Sequence, residues 1–312
     1  MTRSRSLLTL GIIGIAIIFL VLTPASQAAA NGVIPQTGEA ISETPFAPDG
    51  ETGGAELDFT GCTRVNVPAQ NPGFEQRVVE LVNLERAKEG LPPLKRNSEL
   101  DYAARYHARD MVEDDYFSHD TFDRVNGGLV LKCGPFERIR LYYTGYSKAG
   151  ENAAAGYATP EDVVAGWMNS PGHRANILDP AYREIGVGYY YGNATYRHYW
   201  VQDFGGIPSV YPVVVNNEAA VTTSPDVLAY LYGKDVWDEV RLRTNGDAWS
   251  NWMTFQELVN WQLAPYNGTQ TLSVEFRESG QGGAAAASSD TITLTGIVMD
   301  YDYSVYLPLI IR

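Results

Sequence analysis

The sequence predicts an α+β domain followed by an all-β domain. Three observations carry this. Apolar residues between 74 and 178 recur at helical steps of three and four. Two aromatic, β-branched runs follow, over 184–191 and 196–204, separated by Gly192-Asn193-Ala194-Thr195, the pattern of a hairpin. After Tyr211 the chain is almost wholly short strand and turn. A length of 312 residues suits about two domains.

Residues 1–30 read as a secretory signal. Arg3 and Arg5 give a positive start, Leu7 to Leu22 is uncharged and mostly apolar, and Pro24 precedes the small residues Ala25 to Ala30. The run is short for a membrane span, so cleavage is expected, with an uncleaved anchor as the rival. Residues 31–60, rich in Gly, Pro, Glu and Thr, read as a disordered linker. The first domain is expected over 61–206. Phe74, Val78, Leu81 and Val82 mark a helix that Gly90 stops. A second helix is expected from Ser98, with Asp101 placed for a capping box and Leu100, Ala104, His107 and Met111 as its buried stripe. Thr159-Pro160-Glu161-Asp162 opens a third, carrying Val163, Val164 and Trp167. Ser170-Pro171 opens a fourth, carrying Ala175, Ile177 and Leu178. In the second domain, 207–312, strands are expected over 211–215, 227–232, 239–243, 271–277, 291–298 and 305–311, with turns at Asn245-Gly246 and Asn267-Gly268. Trp237, Trp249, Trp252 and Trp261 are read mainly as its core aromatics.

Composition narrows the function. With 45% hydrophobic residues the chain can build cores. A net charge of −14 argues against nucleic acid and anionic lipid as partners. Losing Arg3 and Arg5 with the signal would take that charge to −16. Two cysteines exclude a disulfide-dense scaffold and a multi-Cys zinc module. All four histidines lie between residues 107 and 198, so imidazole chemistry belongs to the first domain. No Ser-His-Asp order and no HExxH occurs, and Ser118 beside His119 does not make a triad.

Three segments place titratable groups beside glycine, proline or a helix start: Phe117-Ser118-His119, Gly150-Glu151-Asn152, and Ser170-Pro171-Gly172-His173-Arg174-Ala175-Asn176-Ile177-Leu178. Two imidazoles and a carboxylate can hold a divalent cation or move a proton. His173, in the first turn of its helix, is expected to stay neutral against the dipole. With Leu81-Val82-Asn83-Leu84-Glu85-Arg86, Ala103-Ala104-Arg105-Tyr106-His107-Ala108-Arg109-Asp110-Met111 and Tyr199-Trp200-Val201-Gln202-Asp203-Phe204-Gly205, these motifs resemble the CAP superfamily, or SCP domains, in its bacterial secreted branch. The resemblance spans about 74–206 and implies an α-β-α sandwich with a central His/Glu cleft. His119 and Glu151 fall on family positions of that cleft. Trp167-Met168-Asn169-Ser170 lacks the family's second glutamate, and His173 is the bacterial substitute. Tyr199 occupies the position of the last histidine, and His198, one residue away, points to the other face and is read as an exposed strand residue.

The cleft set is therefore His119, Glu151, His173, Asn152 and Tyr199, with His119, His173 and Glu151 as candidate ligands of zinc or calcium. His107 is read as a core histidine with a satisfied hydrogen bond, and Glu113-Asp114-Asp115 as a solvated acidic turn. An insertion after His119 carries Cys133, which is expected to pair with Cys62 in an oxidising compartment. Trp249-Ser250-Asn251-Trp252 and the 268–277 run resemble Ig-like modules appended to bacterial secreted proteins, so the second domain is expected to be an Ig-like sandwich. The favoured function is an extracellular, secreted or cell-surface binding module for a divalent cation, a small hydrophobic ligand or a cell-envelope component. A hydrolase with metal-activated water and Glu151 as general base, and a structural surface protein, are the alternatives.

Overall fold

A computed structural model describes residues 61–280 and 282–297. The expected signal (1–30), linker (31–60) and last strand (305–311) lie outside the described residues, as does Val298.

The first region runs α1 (Pro72–Lys88), β1 (Lys95–Arg96), α2 (Ser98–Glu113), β2 (Thr121–Val125), β3 (Gly128–Cys133), α3 (Pro135–Arg140), β4 (Lys148–Ala155), α4 (Pro160–Asn169), α5 (Pro171–Ile177), β5 (Glu184–Tyr191) and β6 (His198–Gly206). α1 begins two residues before Phe74. Asn71 caps it through Phe74 N–H, and Pro72 occupies a first-turn position where its missing N–H costs nothing. The N-cap of α2 is Asn97 rather than Ser98, and it takes the N–H groups of Glu99 and Leu100. Asp101 makes no capping box. It turns into the core, where it accepts from Val187 N–H and pairs with Arg96 and Arg105. Thr159 caps α4 as expected.

β1, β5, β6 and β4 form one sheet in that order, with β4 at the edge. α1, α4 and α5 cover one face through Val78, Val82, Val163, Trp167 and Ile177, packed on Val187, Trp200 and Phe204. α2 covers the other through Ala104, Ala108 and Met111, packed on Tyr199 and Val201. Gly186 and Gly188 let α2 lie directly on β5: a Cβ at either would sit 2.1 or 2.2 Å from a backbone carbon of Leu100 or Ala104. The insertion after His119 folds as the β2–β3 hairpin. Cys133 at its end is joined to Cys62, with a Cα–Cα distance of 5.9 Å.

The second region runs β7 (Val213–Val215), a single 3₁₀ turn (Asn216–Glu218), β8 (Val221–Thr222), β9 (Asp226–Leu231), β10 (Glu239–Thr244), β11 (Met253–Thr254), β12 (Leu258–Gln262), β13 (Gly268–Arg277) and β14 (Ala286–Leu294). Two sheets, β11-β10-β13-β14-β8 and β12-β9-β7, share one apolar cluster that includes Val213, Leu231, Leu242, Val274 and Phe276. Asn245 and Gly246 both have positive φ, 51° and 80°, as a tight primed hairpin turn requires. Trp237 and Trp261 pack against that cluster. Trp249 and Trp252 differ from the core reading: Arg241, Arg243 and Arg277 stack over their rings at 4.1–5.0 Å.

The described residues of both regions belong to one compact unit. At the seam, Tyr232 Oη donates to Pro93 O, Asn83 donates to Asn217 O, and Lys95 pairs with Glu218 and Asp290. No helix among the described residues is long and apolar enough to cross a membrane.

Candidate functional site

The cleft opens at the free side of β4, between α3 and the end of α5. It has a volume of about 380 Å³, and His119, Phe136, Gly150, Glu151, Asn176 and Tyr182 line it. Side chains alternate along a strand, so Glu151 and Asn152 enter from opposite sheet faces. Glu151 stands opposite Asp203, and Asn152 stands opposite Gln202.

Glu151 is the centre of the arrangement. One oxygen, Oε1, accepts from His119 Nδ1 at 2.8 Å, and Oε2 accepts from the buried Arg138 guanidinium at 2.5 Å. Arg138 also donates to Thr121 Oγ1 and His119 O, so the residues holding the cation come from the hairpin as well as the sheet. Burial pulls the Glu151 carboxyl upward. Arg138, helped by the hydrogen bonds, outweighs burial and holds it well below the usual carboxylate range. Asp203 is the converse: burial and then the Glu151 charge push it well above its ordinary value. The hydrogen bond to Glu151 raises His119. With Nδ1 engaged, the half-exposed ring turns Nε2 to the cleft.

His119 and Glu151 are thus brought into contact. His173 lies on α5, half-buried, its pKa lowered by burial and then by the His119 charge. It joins the network through its backbone: Asn152 donates to His173 O, and Asn176 donates to Asn152 Oδ1 and to Glu151 O. Tyr199 is fully buried under α2 and is not among the residues lining the cleft. His107 is fully buried, with Nε2 on Ser118 O at 2.8 Å and Nδ1 unpartnered, and burial pushes it down to about 3. His198 is half-buried and bonded to Tyr189 Oη at 2.9 Å rather than simply exposed.

Sequence reading missed Arg138, Asp203, Thr121 and Tyr182. Asp203 stands inside a motif noted above and Arg138 does not, and only the β4–β6 register and the hairpin bring them to Glu151. As a metal centre the set is thin. Both Glu151 oxygens are engaged, and a buried guanidinium already balances its charge, so Glu151 does not fit as a direct ligand. That leaves two imidazoles, fewer than the three protein ligands of catalytic zinc.

A helix-sheet-helix layering with a histidine–carboxylate pair at its edge strand defines a cleft-bearing α+β domain. Residues 79–204 match the cysteine-rich secretory protein family, and this part of the chain is a CAP domain. The chain is 40% identical over 144 residues to an uncharacterized protein, YkwD, of Bacillus subtilis, covering 46% of this chain and 51% of that one. It is 33% identical over 130 residues to an uncharacterized membrane protein, YlbC, of the same organism, covering 42% and 34%. It therefore spans about half and a third of these relatives. Among solved structures, an extracellular SCP-domain protein of Bacillus anthracis is similar at 30% identity, covering 43% of this chain and 40% of that one, with a TM-score of 0.37.

Proposed function

We propose that this is a secreted or cell-surface binding protein. Its CAP cleft takes a small ligand with an apolar face and a polar group that meets His119, as a small cell-envelope component would. The observation that carries this is the saturation of Glu151. A carboxylate with both oxygens committed, and held far below the usual range by Arg138, is a poor general base and a good anchor for an imidazole. Phe136, 49% exposed, and Tyr182 supply the apolar wall. The region from residue 207 is read as an Ig-like sandwich that positions the cleft and adds no chemistry, since its two sheets close on one apolar core.

The test uses the purified protein with two probes, anilinonaphthalene sulfonate for the apolar wall and peptidoglycan sacculi for the envelope. Saturable signals that fall at least tenfold in affinity in His119→Ala and Phe136→Ala support the reading. Signals unchanged in both variants reject it. A hydrolytic reading has one observation in its favour: His119 Nε2 is oriented by Glu151 toward the cleft, as a proton-transfer imidazole would be. Ester or amide hydrolysis lost in His119→Ala but kept in Phe136→Ala would favour it.

A further inference from the structure

The last turn of α2 collects acid with no base of its own. Asp110 and Asp114, four residues apart, share one helix face, and β2 brings Asp123 beside them. One carboxylate oxygen from each of the three lies within 4.8 Å of those of the other two. Asp114 Oδ1 accepts from Arg124 N–H; both Asp123 oxygens accept from Gly61 N–H, and Oδ2 also pairs with Lys132, a part-exposed side chain that a cation can displace, unlike the fully buried Arg138 at Glu151. Arg124 spends its guanidinium on the carbonyls of Asp114, Asp115 and Gly127. Asp110 Oδ2 accepts from Tyr116 Oη. Asp110 Oδ1, on a residue with no exposed surface, has no partner. A buried carboxylate oxygen left bare is costly, and the negative end of the helix adds to that cost.

We propose that Asp110, Asp114 and Asp123 bind a hard divalent cation, Ca²⁺ in the first place. The cation would pin the end of α2 to the disulfide-tied β2–β3 hairpin. All three donors are oxygen, which selects Ca²⁺ or Mg²⁺ over zinc. Three oxygens within 4.8 Å of one another, fixed by their own elements, suit the flexible geometry of Ca²⁺ at about 2.4 Å better than Mg²⁺, which needs about 2.1 Å and near-ideal octahedral geometry. Asp110 Oδ1 gains the partner it lacks. Three carboxylates supply less than the full shell of six to eight, so water completes it, and the affinity falls in the 10⁻⁴–10⁻³ M range on the order of other extracellular sites. This site is separate from the cleft and does not depend on what the cleft binds.

The experiment is Tb³⁺ luminescence excited through Tyr116, with Ca²⁺ as competitor, alongside melting of the purified, chelator-treated protein in Ca²⁺. The expected result is sensitised emission that Ca²⁺ displaces. Ca²⁺ near one hundred times its Kd should also raise the melting temperature by roughly 5–10 °C. Emission falls at least tenfold in Asp114→Asn and in Asp123→Asn. It is kept in Glu113→Gln, an acid of the same turn that is spent on Arg109. A melting temperature indifferent to the ion, or emission that survives both Asp variants, overturns the proposal and leaves a proton on Asp110 as the occupant. Emission lost in His119→Ala but kept in Asp114→Asn places the ion in the cleft and also overturns it.

Discussion

The two regions bury charge in opposite ways. Among the described residues, 61–206 buries Glu75, Arg86, Asp101, His107, Asp110, Asp123, Arg138, Glu151, Glu184 and Asp203. The region from 207 buries only Glu218 and Asp290 as charged groups, and both turn to Lys95 of the first region. Its own core is apolar, and its other ion pairs lie at the surface. Buried ions cost several kcal/mol each unless paired. The CAP domain therefore carries a network that stability alone does not explain, next to a region whose core is apolar. The largest mutational effects should then fall around Glu151 and the smallest on the outer face of the β region.

Glu151→Gln tests the largest. It leaves Arg138, with no exposed side chain, without its anion. The expected loss is about 3–5 kcal/mol, read as a lower denaturant midpoint at constant slope. Asp203→Asn is the contrast, because burial and the Glu151 charge both push Asp203 toward its neutral form. It should cost less than about 1 kcal/mol, as a near-isosteric exchange for that form. If both cost the same, Glu151 and Asp203 share their charge more evenly than their environments imply.

Lys95→Met tests the seam. It leaves Glu218 and Asp290 facing each other, with Asn216, Asn217 and Glu218 all held at positive φ. Burial, then Asp290, already push Glu218 up to about 7, so the pair can take a proton and soften the loss. About 2–3 kcal/mol is expected, below the full penalty for breaking a buried pair. Unfolding that splits into two transitions would show that Lys95 joins two separately stable bodies. One unbroken transition would show that the other seam hydrogen bonds, Tyr232 to Pro93 and Asn83 to Asn217, keep the regions coupled without it.

Much of this was legible in the sequence and some could not be. Periodicity and caps place α1, α2, α4 and α5 within two residues, and alternation finds the β5–β6 hairpin. β4 was not read as a strand because Ala149 and Ala153-Ala154-Ala155 have no β character. It is a strand because Ala155–Lys148 pairs along the whole of β6. The Ala286–Ser289 start of β14 is hidden for the same reason: pairing, not propensity, makes it a strand. His119 and Glu151 could be named from their motifs. Arg138 could not, since a lone arginine in a six-residue helix has no periodic signal and its role exists only once Glu151 is beside it. The acidic end of α2 read as solvated, yet Asp115 holds Thr195 and Asp114 holds Arg124.

His107 gives the next effect down, and it is a slope rather than a step. Burial pushes this imidazole from 6.5 down to about 3. The unfolded chain takes up a proton below pH 6.5 and the native protein does not. Stability therefore falls as pH drops from 6.5 toward 3, by about 1.4 kcal/mol per unit. Asp110, pushed up to about 7 mainly by burial, has the opposite sign: its contribution is full below its unfolded value and is lost as pH rises through 7. His107→Gln keeps a donor for Ser118 O and removes only the first slope. Stability measured from pH 4 to 7 in both proteins should diverge toward low pH. Parallel profiles would mean that His107 is charged in the native protein.

The smallest effect belongs to the outer face of the β region. Glu275 stands directly opposite Arg241 in the β10–β13 register and accepts from its Nε at 2.6 Å. Arg241 is also sandwiched by Trp249 and Trp252 at 5.0 and 4.7 Å, so the rings and β13 hold its guanidinium in place even without the carboxylate. Both side chains keep contact with water, 28% and 19% exposed, which screens the pair. Glu275→Gln preserves the shape and an acceptor and removes one charge. It should cost about 0.2–1 kcal/mol, and the difference should shrink in high salt. A double-mutant cycle with Arg241→Gln measures the pair itself. A coupling above about 2 kcal/mol, insensitive to salt, would exceed what an exposed cross-strand pair supplies. It would make the Trp–Arg stack a cooperative network, and the contrast between a charged CAP domain and a passively stable β region would no longer hold.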